Sequence, residues 1–280
     1  AIAMLMYFHE NAKHIHVIAA GSLLEPMLKN NQISFPVGRV EYLALRPCSF
    51  DEFLNAIEEE FDLEAIKNLN TNSIHDRLMQ HFQTYIIVGG MPEIIMQYSK
   101  NKDILSTETI FESLLQSYRE DAEKYAQNDT QAKLIAHILK NGLEYASETI
   151  SFEKFAQSQY RSREMKEAFL TLQNAFLLEL VYPSHSVKLP IQHDFKKRPK
   201  LFWIDTGIIN YATGIQADVF SADTIEDIWR GRIAEQITAQ ELLCIDSKIS
   251  ATRTFWRRDK PNSEAAVDFL FPFNGKINPI

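Results

Sequence analysis

His14-Ile15-His16-Val17-Ile18-Ala19-Ala20, followed by Gly21-Ser22, is the stretch on which the reading of the fold turns. Its length and β-branched content predict a buried strand that Gly21-Ser22 closes. Ser22 with Glu25 three residues on is a capping-box pattern, and Leu23, Leu24, Met27 and Leu28 supply the apolar stripe of the helix it opens. Moving outward, Val40 to Leu45 alternates as a second strand ended by Pro47, and Ser49 caps a helix running to about Glu60. Strand and helix in alternation predict an α/β unit over residues 1–60.

Beyond it the periodicity becomes helical. Leu78, Phe82, Tyr85 and Ile86 repeat at helical spacing, as do Ile110, Leu114, Leu115 and Tyr118, so 61–130 reads as a helical unit broken once by Gly89-Gly90-Met91-Pro92. Residues 131–205 predict three helices, through Leu134, Ile135 and Ile138, near Phe152 to Gln157, and through Met165, Ala168, Phe169, Leu172 and Phe176. Strands at Leu177 to Tyr182 and Lys200 to Ile204 follow, an order that predicts a winged helix-turn-helix. Residues 206–280 predict a helix around Ile228 to Leu243 and two strands, Thr252 to Trp256 and Val267 to Phe271, joined by a polar turn at Asp259 to Ser263. The expectation is thus a helix-rich, multidomain α/β protein. Only nine glycines occur in the 280 residues, which favours helix throughout.

Composition narrows the function. A formal charge of -8 excludes a surface that grips nucleic acid along its whole length and leaves room only for a local basic patch. Cys48 and Cys244 stand far apart in apolar surroundings, without zinc-site or disulfide spacing, which suits a reducing cytoplasm. No apolar run reaches the roughly 18 to 20 residues that cross a bilayer, so no membrane partner is expected. His9-Glu10 with His14 is a decoy for a zinc site, because on a helix five residues turn about 500° and the two rings diverge.

Ala20-Gly21-Ser22-Leu23-Leu24-Glu25, Phe35-Pro36-Val37-Gly38-Arg39-Val40-Glu41 and Pro47-Cys48-Ser49-Phe50-Asp51-Glu52-Phe53-Leu54 together resemble a family of prokaryotic AAA+/STAND-like ATPases that end in a winged helix and a restriction-endonuclease-like domain. Gly89-Gly90-Met91-Pro92, Leu201 to Gly207, Ala234-Glu235-Gln236 and Ala266-Val267-Asp268-Phe269 extend the resemblance over nearly the whole chain, in the family's order. It implies an AAA+ core remnant over 1–60, a helical lid over 61–130, the winged helix over 131–205 and a truncated PD-(D/E)xK-type domain over 206–280.

The resemblance also implies roles. Ser22 would be sensor 1 toward the γ-phosphate or the attacking water, while remaining a plain helix N-cap in the bottom-up reading. Arg39 would be a cation for nucleotide phosphates, against its reading as a surface residue. Gly90 and Pro92 would bind the cofactor, proline packing on adenine, against a simple helix break. Glu235 and Asp268 would hold a metal that activates water, against the reading that they are satisfied by ion pairs; Ala266 stands where relatives carry glutamate, and a Glu-x-Lys strand is expected only beyond Ile280. Arg161, Arg163 and Lys166 on the recognition helix, with Lys197 and Arg198 on the wing, would grip phosphates, although Glu164 and Glu167 make the helix face nearly neutral.

No Gly-x-x-x-x-Gly-Lys-Ser/Thr loop occurs in the chain, so this polypeptide alone should not hydrolyse ATP, and the loop is expected before Ala1. ATP and Mg²⁺ are the cofactors expected of the full-length protein, with none bound to this fragment. The function expected is ATP binding and hydrolysis coupled to rearrangement of the winged-helix and nuclease-like parts, with DNA, protein or further copies of the chain as partners. The alternatives are a non-enzymatic DNA- or protein-binding module and a degenerate metal-dependent nuclease.

Overall fold

In the computed structural model, which describes residues 2–20, 41–215, 230–258 and 265–280, helix predominates and the strands form small antiparallel pairs. Residues 2–11 form α1 (Ile2–Asn11). His14 to Ala20 does not become the expected strand: it is irregular and exposed, Ile18 at 94%. β-branched content fits a strand only where a neighbour completes the hydrogen-bond ladder, and among the described residues none does. The second expected strand fails likewise from residue 41 on. Instead Ala44 donates its amide to the Ser247 carbonyl at 2.8 Å, while Leu43 and Leu45 face outward. Ser22, the helix it was to open, and Arg39 lie outside the described residues.

At Ser49 the expected helix start is found. The Ser49 side chain accepts from the Glu52 amide and Glu52 reaches back to the Ser49 amide, a full capping box that starts α2 (Phe50–Ala56). It stops short of Glu60, where α3 (Glu60–Lys67) begins. α4 (His75–Val88) ends at Gly89, whose φ of 74° suits a residue without a Cβ, and Pro92 opens α5 (Pro92–Asn101). α6 (Glu108–Tyr125) and α7 (Asp129–Asn141) follow, the latter capped by Asn128. Near Phe152 to Gln157 only a single 3₁₀ turn forms, at Phe155–Gln157. α8 (Ser162–Asn174) then buries Met165, Ala168, Phe169 and Leu172, one stripe at helical spacing.

β1 (Leu178–Val181) and β2 (Lys200–Trp203) pair antiparallel, Leu178 opposite Trp203 and Val181 opposite Lys200. α9 (Thr206–Ala212) is capped by Asp205, and α10 (Arg230–Cys244) packs beside it. The expected strand Val267 to Phe271 is split. β4 (Ala266–Val267) pairs with β3 (Trp256–Arg257), the chain breaks at Asp268, and β5 (Leu270–Phe273) turns back into β6 (Lys276–Pro279). The polar turn at Asp259 to Ser263 lies outside the described residues.

One hydrophobic core runs from Phe53 and Tyr85 through Phe111, Ile135, Phe169 and Leu201 to Ile237, crossing the boundaries expected near 60, 130 and 205. A smaller one gathers Val181, Phe202, Ala239, Phe255 and Phe269 behind β2. A tight seam in the main core is α4 against α9: a Cβ on Gly207 would lie 2.5 Å from the Val88 carbonyl oxygen. Backbone cannot yield there as a flexible side chain could. Gly207→Ala should therefore destabilise the fold by about 1–3 kcal/mol, read as a lower urea midpoint at unchanged slope.

Candidate functional site

β2 ends at Trp203, and α10 is docked on it by a side chain that imitates a strand. Gln236 accepts from the Trp203 amide at 3.1 Å and donates to the Trp203 carbonyl at 2.7 Å, in a fully buried setting. One turn later Gln240 accepts from the Thr206 amide at 3.0 Å. These two amides fix the register of α10 against the strand and thereby aim Glu235 along it toward Lys200.

Two sites result. At the first, Lys200 Nζ meets Glu235 Oε1 in a close ion pair and Asp268 Oδ1 at 3.0 Å, and lies 5.1 Å from the centre of the Phe255 ring. Lys200 and Glu235 are largely buried, whereas the Asp268 side chain is 60% exposed and forms the open side. Burial pushes the Glu235 carboxyl above its ordinary value, the Lys200 ammonium opposes this, and the Asp268 carboxylate adds to it. The two acids expected to hold a metal are thus brought to one point, with a lysine between them that sequence reasoning had placed only on the wing. A dication here would use the exposed Asp268 oxygens and displace Nζ from Glu235.

The second site is the buried junction beneath it. Asp205 is wholly buried; its carboxylate accepts from the Gly90 amide at 2.5 Å, the Ile208 amide at 3.1 Å and Gln240 Nε2 at 3.4 Å. Gln240 Nε2 also donates to Tyr85 Oη at 3.1 Å. That hydroxyl stands 2.7 Å from both the Cys48 carbonyl and Glu241 Oε1 and donates its one proton to either. Glu241 accepts in turn from the Phe50 amide at 3.1 Å. Burial raises the Glu241 carboxyl, and it pushes the Cys244 thiol up to about 12. A Cβ on Gly89 would strike Asp205, and one on Gly90 would lie 2.4 Å from the Cys48 carbonyl. Both glycines exist to let three backbones meet.

This geometry locates the other sequence-predicted residues. Gly90 is enclosed with its amide spent on Asp205, while Pro92 is exposed at the start of α5, so the two do not line a common cavity wall. Arg161, Arg163 and Lys166 are exposed around the start of α8, where Arg163 pairs with Glu167 at 3.1 Å. Lys197 and Arg198 are exposed in the loop between β1 and β2. Sequence reasoning missed Tyr85, Gln240 and Glu241; Asp205 before a short helix, after an apolar strand, carried the N-cap signal that could have found the junction.

Among the described residues, no helix is long and apolar enough to cross a membrane. The family described as Domain of unknown function (DUF8612) matches residues 79–219, just over half of the chain and the span that holds the break at Gly89-Gly90, α8, the β1–β2 hairpin and Asp205. No curated protein and no solved structure matches.

Burial is the chief cause that lifts the Asp205 carboxyl from an ordinary 3.8 to about 6, against the pull of its hydrogen-bond donors. Its folded-state value lies above its unfolded one, so the proton is held more tightly in the native state. Stability from this group is full below pH 4, declines as pH rises toward 6 and is flat above. We expect wild type to lose on the order of 3 kcal/mol across that window relative to Asp205→Asn, measured as the difference between their urea midpoints at pH 4 and pH 7.

Proposed function

The chain belongs to the DUF8612 family, and we propose that it is the coupling and effector portion of an AAA+-type ATP-binding protein in which nucleotide turnover moves the hairpin and α10. The observation that carries this reading is the convergence at Asp205. The segments that resemble the ATPase family at Pro47 to Ser49, Gly89 to Pro92, Asp205 to Gly207 and Gln236 lie far apart in sequence, yet they are bound to one another through buried polar contacts. A displacement of the α3–α6 helices, the lid in this reading, would pull Gly90 and so Asp205, and through Gln240 it would shift α10 and Glu235. The order of α7, the 155–157 turn, α8 and the β1–β2 hairpin supports the winged-helix reading of that segment. ATP and Mg²⁺ are held by residues outside this chain in this reading, with Ser22 sensing the γ-phosphate and Arg39 supplying a cation.

Two measurements test it. The coding sequence before Ala1 should contain a Gly-rich Lys-Ser/Thr loop; a translation start there without one discards the proposal. In the full-length protein, ATP should change hydrogen-exchange protection along α10, and Asp205→Ala should remove that change while hydrolysis persists. Loss of hydrolysis with α10 still responding would show that Asp205 does not transmit.

A second reading is favoured by the meeting of Lys200, Glu235 and Asp268: metal-dependent cleavage of a DNA phosphodiester, with Asp268 and Glu235 on the ion and Lys200 beside the developing phosphate charge. The exposed Arg161, Arg163, Lys166, Lys197 and Arg198 would supply backbone contacts that weaken steeply with salt. Plasmid cleavage in Mn²⁺ should fall at least about tenfold in Asp268→Ala; cleavage equal to wild type would remove this site.

A further inference from the structure

Away from both sites, the start of α3 faces α4 across a compact group of polar side chains. Glu59 stands at the N-terminus of α3 and Asp62 lies in its first turn, fully buried. From α4, His81 Nε2 points between them, 3.5 Å from Asp62 Oδ2 and 3.9 Å from Glu59 Oε1. The three ligand atoms all fall within 4.8 Å of one another. That ring nitrogen is buried and has no hydrogen-bond partner, although a carboxylate oxygen stands only a few tenths of an ångström beyond hydrogen-bonding range. A buried ring nitrogen that makes no hydrogen bond and faces two carboxylates leaves its lone pair, in the neutral imidazole, aimed at the space between them.

We propose that Glu59, Asp62 and His81 bind one Zn²⁺ ion that fastens α3 to α4. Donor atoms on a tetrahedral ion with bonds of about 2.0–2.1 Å sit roughly 3.3 Å apart. The His81–Asp62 separation of 3.5 Å is already close to this, and the wider one of 3.9 Å to Glu59 ends on a half-exposed carboxylate that has the freedom to close it. Arg77 forks both oxygens of Asp62. Each oxygen keeps a second lone pair for a metal, so the guanidinium orients the ligand instead of consuming it. It also cancels one of the two carboxylate charges. A dication would therefore meet a net single negative charge, a neutral imidazole and an outer side open to a water as fourth ligand. Nitrogen and oxygen donors in this number suit zinc better than calcium or magnesium, which demand more oxygens. The site is independent of any nucleotide and of Lys200, Glu235 and Asp268.

The test uses the metal-free chain dialysed against micromolar Zn²⁺. Wild type should retain about one ion per chain and gain about 5 °C in Tm. His81→Gln and Glu59→Gln should each lose retention by roughly tenfold or more. Glu59 is exposed enough for its variant to fold, as far-UV circular dichroism would confirm. Co²⁺ in place of zinc should show visible bands without a thiolate charge-transfer band, separating this site from Cys48 and Cys244. No retention by wild type, equal retention by either variant, or a thiolate band would each overturn the assignment.

Discussion

A carboxylate taken wholly out of water needs hydrogen bonds to offset part of its lost hydration, and Asp205 draws them from three elements at once. The Gly90 amide comes from the break between α4 and α5, the Ile208 amide from the first turn of α9, and Gln240 from the middle of α10. None of these donors is local to the others. The fold is therefore held together by a group that would be strongly unfavourable if any one element moved away, since a buried charge stripped of partners costs far more than a broken surface contact. The main hydrophobic core holds the helices near one another; the junction decides how they are seated.

That seating explains residues that packing alone would not require. Gly89, Gly90 and Gly207 are fixed because a Cβ at each would meet Asp205, the Cys48 carbonyl or the Val88 carbonyl. Gln236 and Gln240, one turn apart on α10, bond main-chain groups at the end of β2 and the start of α9, and so set the rotation of α10. Once that rotation is set, Glu235 has one direction to face, along β2 toward Lys200. The exposed charge cluster is thus a consequence of the buried one. Position at Glu235 is inherited from Asp205 through a helix and four amide hydrogen bonds.

What was legible in the sequence follows the range of the interactions involved. Caps and helical stripes are local, and the Ser49 cap and the Met165 to Leu172 stripe appeared where the sequence placed them. The β1–β2 hairpin was also readable. His14 to Ala20 was misread because β-branched content is necessary for a buried strand and insufficient without a ladder partner, which no local pattern reveals. The last hairpin was missed for a different reason: Asn274-Gly275, with φ of 50° and 73°, is a strong two-residue turn signal that was overlooked between Phe273 and Lys276. At the candidate sites, Glu235 and Asp268 were named from a resemblance, but Lys200 was not, because its partners lie 35 and 68 residues away.

The same separation bears on how motion could pass through the molecule. Coupling requires an element with two discrete arrangements, not a chain of contacts alone. The Tyr85 hydroxyl is such an element in miniature, because its single proton serves either the Cys48 carbonyl or the Glu241 carboxylate, both at 2.7 Å. When it faces Glu241, the carboxylate is stabilised and α2 and α10 are drawn together through the Phe50 amide. When it faces Cys48, Glu241 must either lose that donor or take a proton itself, which its burial already favours. A small displacement of the Pro47 to Ser49 segment would thus change the protonation preference of a residue on α10, and a helix shift at one end would become a charge shift at the other.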